Sequence, residues 1–276
     1  MQPATTDIRP GQSVELLKEL HILTRDGRMN QDSRRKLKQV NHLFQFIEPL
    51  LAELRADHAD ISLVDHGAGK SYLGFILYDL FCQERAPGAR MHGIETRAEL
   101  VERSRALAAR LGFAGMSFHH LSVAESLACE DLPARVDIVT ALHACDTATD
   151  DAIRYALARR ARFIVLVPCC QAEVAATLRR HKARMLASPL AELWRHPIHT
   201  REFGSHVTNV LRCLQLEAHG YQIGVTELVG WEHSLKNELI IARQQGLPGR
   251  RAAERLDELL GTLGLAELRS RFFAPS

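Results

Sequence analysis

The spacing of apolar positions predicts a helical N-terminal part followed by alternating strands and helices. From Asp32, a good N-cap residue, apolar side chains recur at steps of three and four as far as Leu54, which indicates a long amphipathic helix. Five short apolar runs then read as strands, at Ile61 to Val64, Met91 to Ile94, Met116 to His119, Val136 to Leu142 and Phe163 to Val167. Helical segments at Arg97 to Leu111 and Thr149 to Arg160 separate them, a pattern typical of an α/β fold with a parallel sheet.

The last third of the chain has a different pattern. Residues 183–204 read as an irregular insert over the rim of the site, and Ser205 to His219 as a helix ended by Gly220. Two strand-like runs, Tyr221 to Leu228 and Glu238 to Ala242, predict an antiparallel pair that completes a seven-stranded, mostly parallel sheet. From Pro248 a helical tail follows, with its buried stripe at Leu256, Leu259, Leu260 and Leu263. We therefore divide the chain into an N-terminal helical extension (1–60), a Rossmann-like domain (61–245) and a C-terminal helical tail (246–276).

The first strand ends in a glycine turn. Its apolar run reaches Asp65 and passes through Gly67 and Gly69 into an apolar segment of helical length. Glycines let the backbone turn sharply and lie close to a ligand, and the next helix offers free N–H groups. This turn is a predicted cofactor site.

The spacing separates three cofactors. A phosphate loop that ends in Gly69-Lys70-Ser71 needs another glycine where Val64 stands, which argues against ATP. A dinucleotide fingerprint needs Gly or Ala where Tyr72 stands, which argues against NAD. The remaining pattern, acid-x-Gly-x-Gly, is that of enzymes using S-adenosylmethionine (SAM), whose ligand carries no phosphate.

The second strand ends in Glu95, where an acid can accept both hydrogen bonds of a ribose diol. The alternative is a surface acid that caps the helix beginning near Arg97. Ser122 and Val123 follow the third strand, where the adenine edge is expected. The predicted cofactor residues are Asp65, Gly67, Ala68, Gly69, Tyr72, Glu95, Ser122, Val123 and Leu142.

Two neighbouring strands carry reactive side chains to the rim where open α/β sheets place their chemistry. The fourth ends in His143-Ala144-Cys145-Asp146, and the fifth in Pro168-Cys169-Cys170. The predicted catalytic residues are His143, Asp146, Cys145, Cys169 and Cys170.

Composition adds few constraints. The 276 residues are 46% hydrophobic and 25% charged, enough for one large core or for one core plus a helical appendage. Six cysteines include an adjacent pair, and no apolar leader or membrane-length run is visible, so we expect a cytoplasmic protein without disulfides or a membrane contact. A net charge of +2 neither requires nor excludes binding to nucleic acid. The clusters of arginine in the sequence are typical of solvated helix faces. The oligomeric state is left open.

Several motifs together resemble a known family, the bacterial class I SAM-dependent methyltransferases. They are DHGAGKSYLGF (65–75), GIE (93–95), ALHACDTATD (141–150), PCC (168–170) and EHSLKN (232–237), and the likeness covers about residues 34–245. Similar domains occur in eukaryotic methyltransferase-like proteins and in tRNA ribose 2′-O-methyltransferases. The resemblance implies the Rossmann-like class I methyltransferase fold, SAM as cofactor and an RNA substrate. His66, Ala68 and Ser71 depart from the usual turn, and Gln171 stands where many members have histidine.

The acceptor chemistry has several interpretations. His143 and Asp146 are the groups available to take a proton from a hydroxyl or amine acceptor. The Asn/Asp-Pro-Pro-aromatic motif of base amino-group methyltransferases is missing after the fourth strand, which argues against the usual N6-adenine methylation. A thiolate of Cys145 or Cys169 would suit cytosine C5 methylation. An equally good interpretation is that the thiols of Cys145, Cys169 and Cys170 are buried and only pack. Zinc is not predicted, because adjacent cysteines ligate one ion poorly and the usual ligand spacings are missing.

We therefore expect a SAM-dependent methyltransferase with an RNA acceptor. The alternatives are a small-molecule methyltransferase and a SAM-binding regulatory module without turnover.

Overall fold

A single seven-stranded sheet organises the chain. The computed structural model describes residues 8–142, 144, 146–168, 171–181, 192–193, 195–228, 238–247 and 249–273. The strands are β1 (Ser62–His66), β2 (Arg90–Glu95), β3 (Met116–His120), β4 (Ile138–Ala141), β5 (Phe163–Leu166), β6 (Tyr221–Glu227) and β7 (Glu238–Gln244). Their order in the sheet is β3-β2-β1-β4-β5-β7-β6, with β7 antiparallel to both of its neighbours and the other pairs parallel.

The helices are α1 (Val14–Glu19), α2 (Gln31–Asp57), α3 (Tyr72–Leu77), α4 (Gln83–Arg85), α5 (Ala98–Leu111), α6 (Val123–Ala128), α7 (Thr147–Ala158), α8 (Glu173–Arg180), α9 (Pro197–Ala218), α10 (Arg250–Thr262) and α11 (Arg269–Phe272). A π-helical turn (Tyr78–Cys82) joins α3 to α4, and a 3₁₀ turn (Ala266–Leu268) precedes α11. The predicted sheet, helical extension and helical tail are thus confirmed.

Helices cover both faces of the sheet because the central strands are apolar on both sides. In β4 and β5 every residue is buried, as expected for parallel strands between two helical layers. Leu63 and Val165 join the core that contains α2, α3 and α5, while Val64 and Ile164 join the core that contains α7. The alternation along each strand therefore divides the interior into two cores.

The chain reverses direction across the sheet between β1 and β4. From β1 it builds outward to β2 and β3, then returns to place β4 on the other side of β1. Ligands of open α/β sheets bind in the crevice at such a reversal, outside the carboxyl ends of the strands. The end of β1 is therefore the place to look for a site.

Two predictions about helices are wrong. The long helix α2 is capped by Asn30, whose Oδ1 accepts a hydrogen bond from Ser33 N at 2.8 Å, and Asp32 lies in the first turn, where a negative charge suits the helix dipole. Residues 197–204, predicted to be irregular, belong to α9, which begins with Pro197 because proline suits a first helical position.

The tail packs on a third apolar core. Leu256 and Leu260 of α10 are buried together with Val174 of α8 and Leu211 of α9. This cluster attaches the tail to α8 and α9. Among the described helices, none combines the length and apolar character needed to cross a bilayer. The three-domain division stays a prediction.

Candidate active site

The glycine turn has the backbone that its sequence predicts. Gly67 and Gly69 have φ of 65° and 58°, a left-handed conformation that costs a glycine little and other residues more. A Cβ on Gly69 would meet atoms no closer than 3.8 Å, so the backbone conformation and not space requires glycine there. Ala68 N donates to Ile94 O at 3.0 Å, which fastens the turn to the end of β2.

Glu95 ties the turn to β2 through its carboxylate. Its Oε2 accepts hydrogen bonds from Gly69 N at 2.8 Å and Arg97 Nη2 at 3.1 Å, and its Oε1 accepts from Arg97 N at 3.0 Å and Nε at 2.9 Å. Burial by itself would raise the pKa of Glu95, but these hydrogen bonds outweigh it and hold the pKa below its usual value. The ionised carboxylate therefore faces the turn in a fixed position.

A cavity of about 240 Å³ opens beside Glu95. Its wall brings Gly67, Glu95 and Val123 together, three of the predicted cofactor residues, and adds Leu121 and Ala148 as apolar surface. Ionised acid at one end and apolar wall at the other suit the ribose and base of a nucleoside.

Ser122 does not lie on the wall of this cavity. Its Oγ accepts a hydrogen bond from Glu125 N at 3.3 Å, and the Glu125 carboxylate accepts from Ser122 N at 2.7 Å, which forms a capping box at the start of α6. The structure gives this side chain a local role.

A second cavity, of about 230 Å³, lies on the other side of the turn. It gathers the predicted residues Asp65, Gly67, Ala68, Tyr72 and Leu142. Gly67 lines both cavities, so the turn forms the ridge between them.

The helix α2 closes the second cavity with residues that sequence reasoning overlooked. Lys36, Gln39, Val40 and Leu43 line it, spaced at steps of three and four along one helix face. Another flank of the same helix carries the polar residues Lys38, Asn41 and Gln45, and none of these three lines the cavity. The sequence could have indicated these residues, because Lys36 and Gln39 share a helix face with the apolar Val40 and Leu43.

Asp65 is the buried acid of the second cavity. Its Oδ1 accepts a hydrogen bond from Thr140 Oγ1 at 2.6 Å, a partner that the sequence did not indicate. Burial raises the pKa of Asp65 to about 7, with a smaller contribution from the negative charge of Glu95. Near neutral pH this carboxyl is therefore poised between its two protonation states.

Asp146 joins the ends of β4 and β5. Its Oδ1 accepts hydrogen bonds from Ala172 N at 2.9 Å and Glu173 N at 3.3 Å, at the start of α8. Its backbone φ of 52° is unusual for a residue other than glycine and is held by these contacts. The other predicted catalytic residues, His143, Cys145, Cys169 and Cys170, lie outside the described residues.

A buried ion pair lies beneath this rim. Arg212 of α9 donates from Nε to Asp150 Oδ1 at 2.7 Å and from Nη2 to Asp150 Oδ2 at 2.9 Å, and Nη2 also donates to Asp146 O at 2.8 Å. Arg212 has no exposed surface and Asp150 is 3% exposed. The pair therefore fixes the loop after β4 to α9 from below.

Amide side chains extend this network to β5 and β7. Asn209 Oδ1 accepts from Gln171 Nε2 at 3.0 Å and from Arg212 Nη1 at 3.3 Å, while Asn209 Nδ2 donates to Glu238 at 2.8 Å. Ser205 Oγ donates to Gln171 Oε1 at 2.6 Å. Gln171, the departure from the family motif, thus has a defined place as a bridge between the loop after β5 and α9.

Metal ligation finds no support in the part of the chain that the structure describes. No group of three or more His, Cys, Asp or Glu side chains in those residues is arranged to hold an ion. The pair His92 and His119, with ring nitrogens 3.3 Å apart on β2 and β3, is held by Ser117 at the edge of the sheet.

Comparison with known proteins agrees with this geometry. A family model described as a methyltransferase domain matches residues 35–177. No curated protein matches the chain. Among solved structures, a putative O-methyltransferase from Klebsiella pneumoniae is 13% identical, with 87% of this chain and 94% of that one covered and a TM-score of 0.51.

Two further structures have lower scores. The magnesium protoporphyrin IX methyltransferase from Synechocystis with bound SAH is 16% identical, with 84% and 95% coverage and a TM-score of 0.46. Fibrillarin from Aeropyrum pernix with bound SAM is 13% identical, with 66% of each chain covered and a TM-score of 0.41. At such identities the likeness concerns the fold.

Proposed function

This chain belongs to the methyltransferase domain family, and we propose that it transfers the methyl group of SAM to an RNA nucleotide. One observation carries the cofactor assignment. Two cavities lie on either side of Gly67, one beside the ionised carboxylate of Glu95 and the other around Asp65. SAM has a nucleoside at one end and an amino acid at the other, and these two groups fit the two cavities.

The residues present match the groups that SAM would offer. Glu95 would hold the ribose hydroxyls, for which the exposed Arg97 side chain must release or share the carboxylate. Asp65 would hold the ammonium group, and Lys36, which lines the same cavity, would hold the carboxylate. SAM supplies an electrophilic methyl group on its sulfonium. The residues of the chain itself would bind SAM, orient it and exclude water from the site.

A proton released by the acceptor needs a base at the rim after β4. Because one oxygen of Asp146 already accepts two backbone N–H groups, we assign this role first to His143 and treat Asp146 as its support. The thiols of Cys145, Cys169 and Cys170 are proposed to pack. Single serine variants that keep most turnover would support packing, whereas one variant that binds SAM normally and is inactive would identify a nucleophile.

The RNA acceptor rests on the motif resemblance, and the cytoplasmic location stays a prediction. A small-molecule acceptor is the second candidate, because the cavity around Asp65 is lined by apolar residues such as Leu73, Leu142 and Leu228. Incubation of the purified chain with methyl-labelled SAM and separate RNA, protein and small-molecule fractions tests the three outcomes. Label in RNA supports the proposal, label in small molecules replaces the acceptor, and no label with intact SAM binding indicates a regulatory module.

A further inference from the structure

A third cavity, of about 460 Å³, lies next to the glycine turn on the side of α5. The segment after α1, the start of α3 and one face of α5 enclose it, and buried Leu100 and Leu107 form apolar parts of its wall. It shares Tyr72 with the cavity around Asp65. Nothing in the proposed binding of SAM uses this space.

The wall of this third cavity is positively charged. Lys70, Arg103 and Arg110 contribute three cations, whereas Glu19 is the one carboxylate on the wall. Glu19 is engaged by Arg110, with Oε2 and Nη2 2.6 Å apart. Within the described residues, the side chains of Lys70 and Arg103 have neither an ion pair nor a hydrogen bond, so two cations face the cavity unneutralised.

Several arginines of α8 and α10 differ, because they form ion pairs. Arg180 pairs with Glu267, Arg250 with Glu254 at 3.2 Å, and Arg255 with Glu217 at 2.5 Å. Charge that is already paired attracts a polyanion less than free charge does. Of the three cations on the wall of the third cavity, Lys70 and Arg103 are therefore the two that no carboxylate of the described residues pairs with.

From this arrangement we infer that the third cavity binds a backbone phosphate of the RNA acceptor, next to the nucleotide that approaches the methyl group of SAM beside the cavity around Asp65. The inference rests on the proposed function and adds the place where the acceptor is anchored. SAM carries no phosphate, so the two free cations are not needed for the cofactor. An RNA strand that follows the surface from Lys70 past Tyr72 reaches the proposed methyl-transfer cavity directly. The ring of Tyr72 offers a face on which a neighbouring base can stack.

The test is RNA binding by the full chain, measured by fluorescence anisotropy with a labelled single-stranded oligoribonucleotide at several salt concentrations. The double variant Lys70→Gln, Arg103→Gln should bind about 10- to 100-fold more weakly, and its plot of log affinity against log salt should be shallower by about 0.7, the value for one lost phosphate contact on a single strand. The control Arg250→Gln, Arg255→Gln removes the same charge from α10 and should change affinity by less than about threefold. Equal losses in both double variants, or no loss in the first, would overturn the inference.

Two further readouts separate this inference from the proposed function. Arg103→Gln alone should keep the SAM affinity of the wild type, measured by calorimetry, so weaker RNA binding is not a folding effect. If RNA takes up methyl label but the variants of Lys70 and Arg103 bind RNA normally, the third cavity is not the anchoring site, and the proposed activity stands. A nucleoside monophosphate is the competing source of the phosphate. If it binds the wild type as tightly as the oligonucleotide does, and the same variants lose this binding, RNA is not the source of the phosphate.

Discussion

At the rim where β1 and β2 end, Asp65 and Glu95 each face a cavity, whereas at the rim where β4 and β5 end, Asp150 lies against Arg212 away from solvent. The first rim places its acids on cavity walls, where a ligand can compete with Arg97 for Glu95. The second rim uses its polar groups on one another, through Gln171, Asn209 and Glu238 as well as the ion pair. Substitutions at the first rim should therefore act on cofactor affinity and, at the buried Asp65, on the pH dependence of stability, whereas substitutions at the second should act mainly on stability and the position of the loops.

The largest expected effect is that of Arg212→Met. It leaves the carboxylate of Asp150 buried without its partner, which should lower the free energy of unfolding by about 3–5 kcal/mol. Urea unfolding at pH 7.5 measures it. The exposed pair offers a control, because Arg255→Gln should cost less than about 1 kcal/mol.

A double variant sharpens this result. Arg212→Met combined with Asp150→Leu removes both charges and should recover much of the loss, since the cost comes from the unpaired acid. Single and double variants that lose the same free energy would show that the pair is not the support of this rim.

The next largest effect is that of Asp65→Asn on the pH dependence of stability. The pKa of Asp65 is raised from 3.8 to about 7, so the carboxyl is neutral in both states and costs nothing only below about pH 3. As the pH rises towards 7, the unfolded chain loses its proton first and the native state becomes less stable. At pH 8 the asparagine variant should therefore be more stable than the wild type, by up to about 4 kcal/mol for a shift of that size.

The same carboxyl should make SAM binding depend on pH. Only the ionised form attracts an ammonium group, so wild-type affinity should rise from pH 6 to about 7.5, below the range in which the α-ammonium of the ligand loses its proton, by at most about tenfold per pH unit. In Asp65→Asn the affinity should be weaker at pH 8 and nearly flat across this range. Parallel curves for the two proteins in calorimetry would remove Asp65 from the ammonium role.

The smallest effect is expected for Ser122→Ala. Loss of the capping box should lower stability by about 1 kcal/mol, because the N–H of Glu125 loses its partner. SAM affinity should not change, since Ser122 is not on the cavity wall. A marked loss of SAM affinity at constant stability would restore Ser122 as an adenine residue.

The difference between the rims also explains what the sequence predicts. The turn at Gly67 and Gly69 and the acid at the end of β2 follow from local signals, a strand, two glycines and a second strand. The capping box of Ser122 and Glu125 is equally visible as a serine three residues before a glutamate. Such features need only neighbouring residues.

The network of the other rim needs contacts between distant residues. Arg212 and Asp150 are 62 positions apart, and Asn209 and Gln171 are 38 apart, so no local pattern indicates that they meet. The early start of α9 is a different case, because Pro197 is a helix-start signal that the scattered histidines around it obscure. Lys36 was overlooked because a charged side chain on an apolar face reads as solvated until the neighbouring cavity is known.

The most direct test of the two-cavity cofactor site is a calorimetric titration of SAM into the wild type, Glu95→Ala and Glu99→Ala. Glu99 is an exposed acid in the first turn of α5, so its substitution removes the same charge near the site without touching a cavity. We predict that Glu95→Ala loses about 1–3 kcal/mol of binding free energy, the scale for a charged hydrogen-bond partner, while Glu99→Ala binds like the wild type. Undiminished SAM binding by Glu95→Ala would contradict the two-cavity site. Tighter binding of ATP or NAD than of SAM by the wild type would contradict SAM as the cofactor.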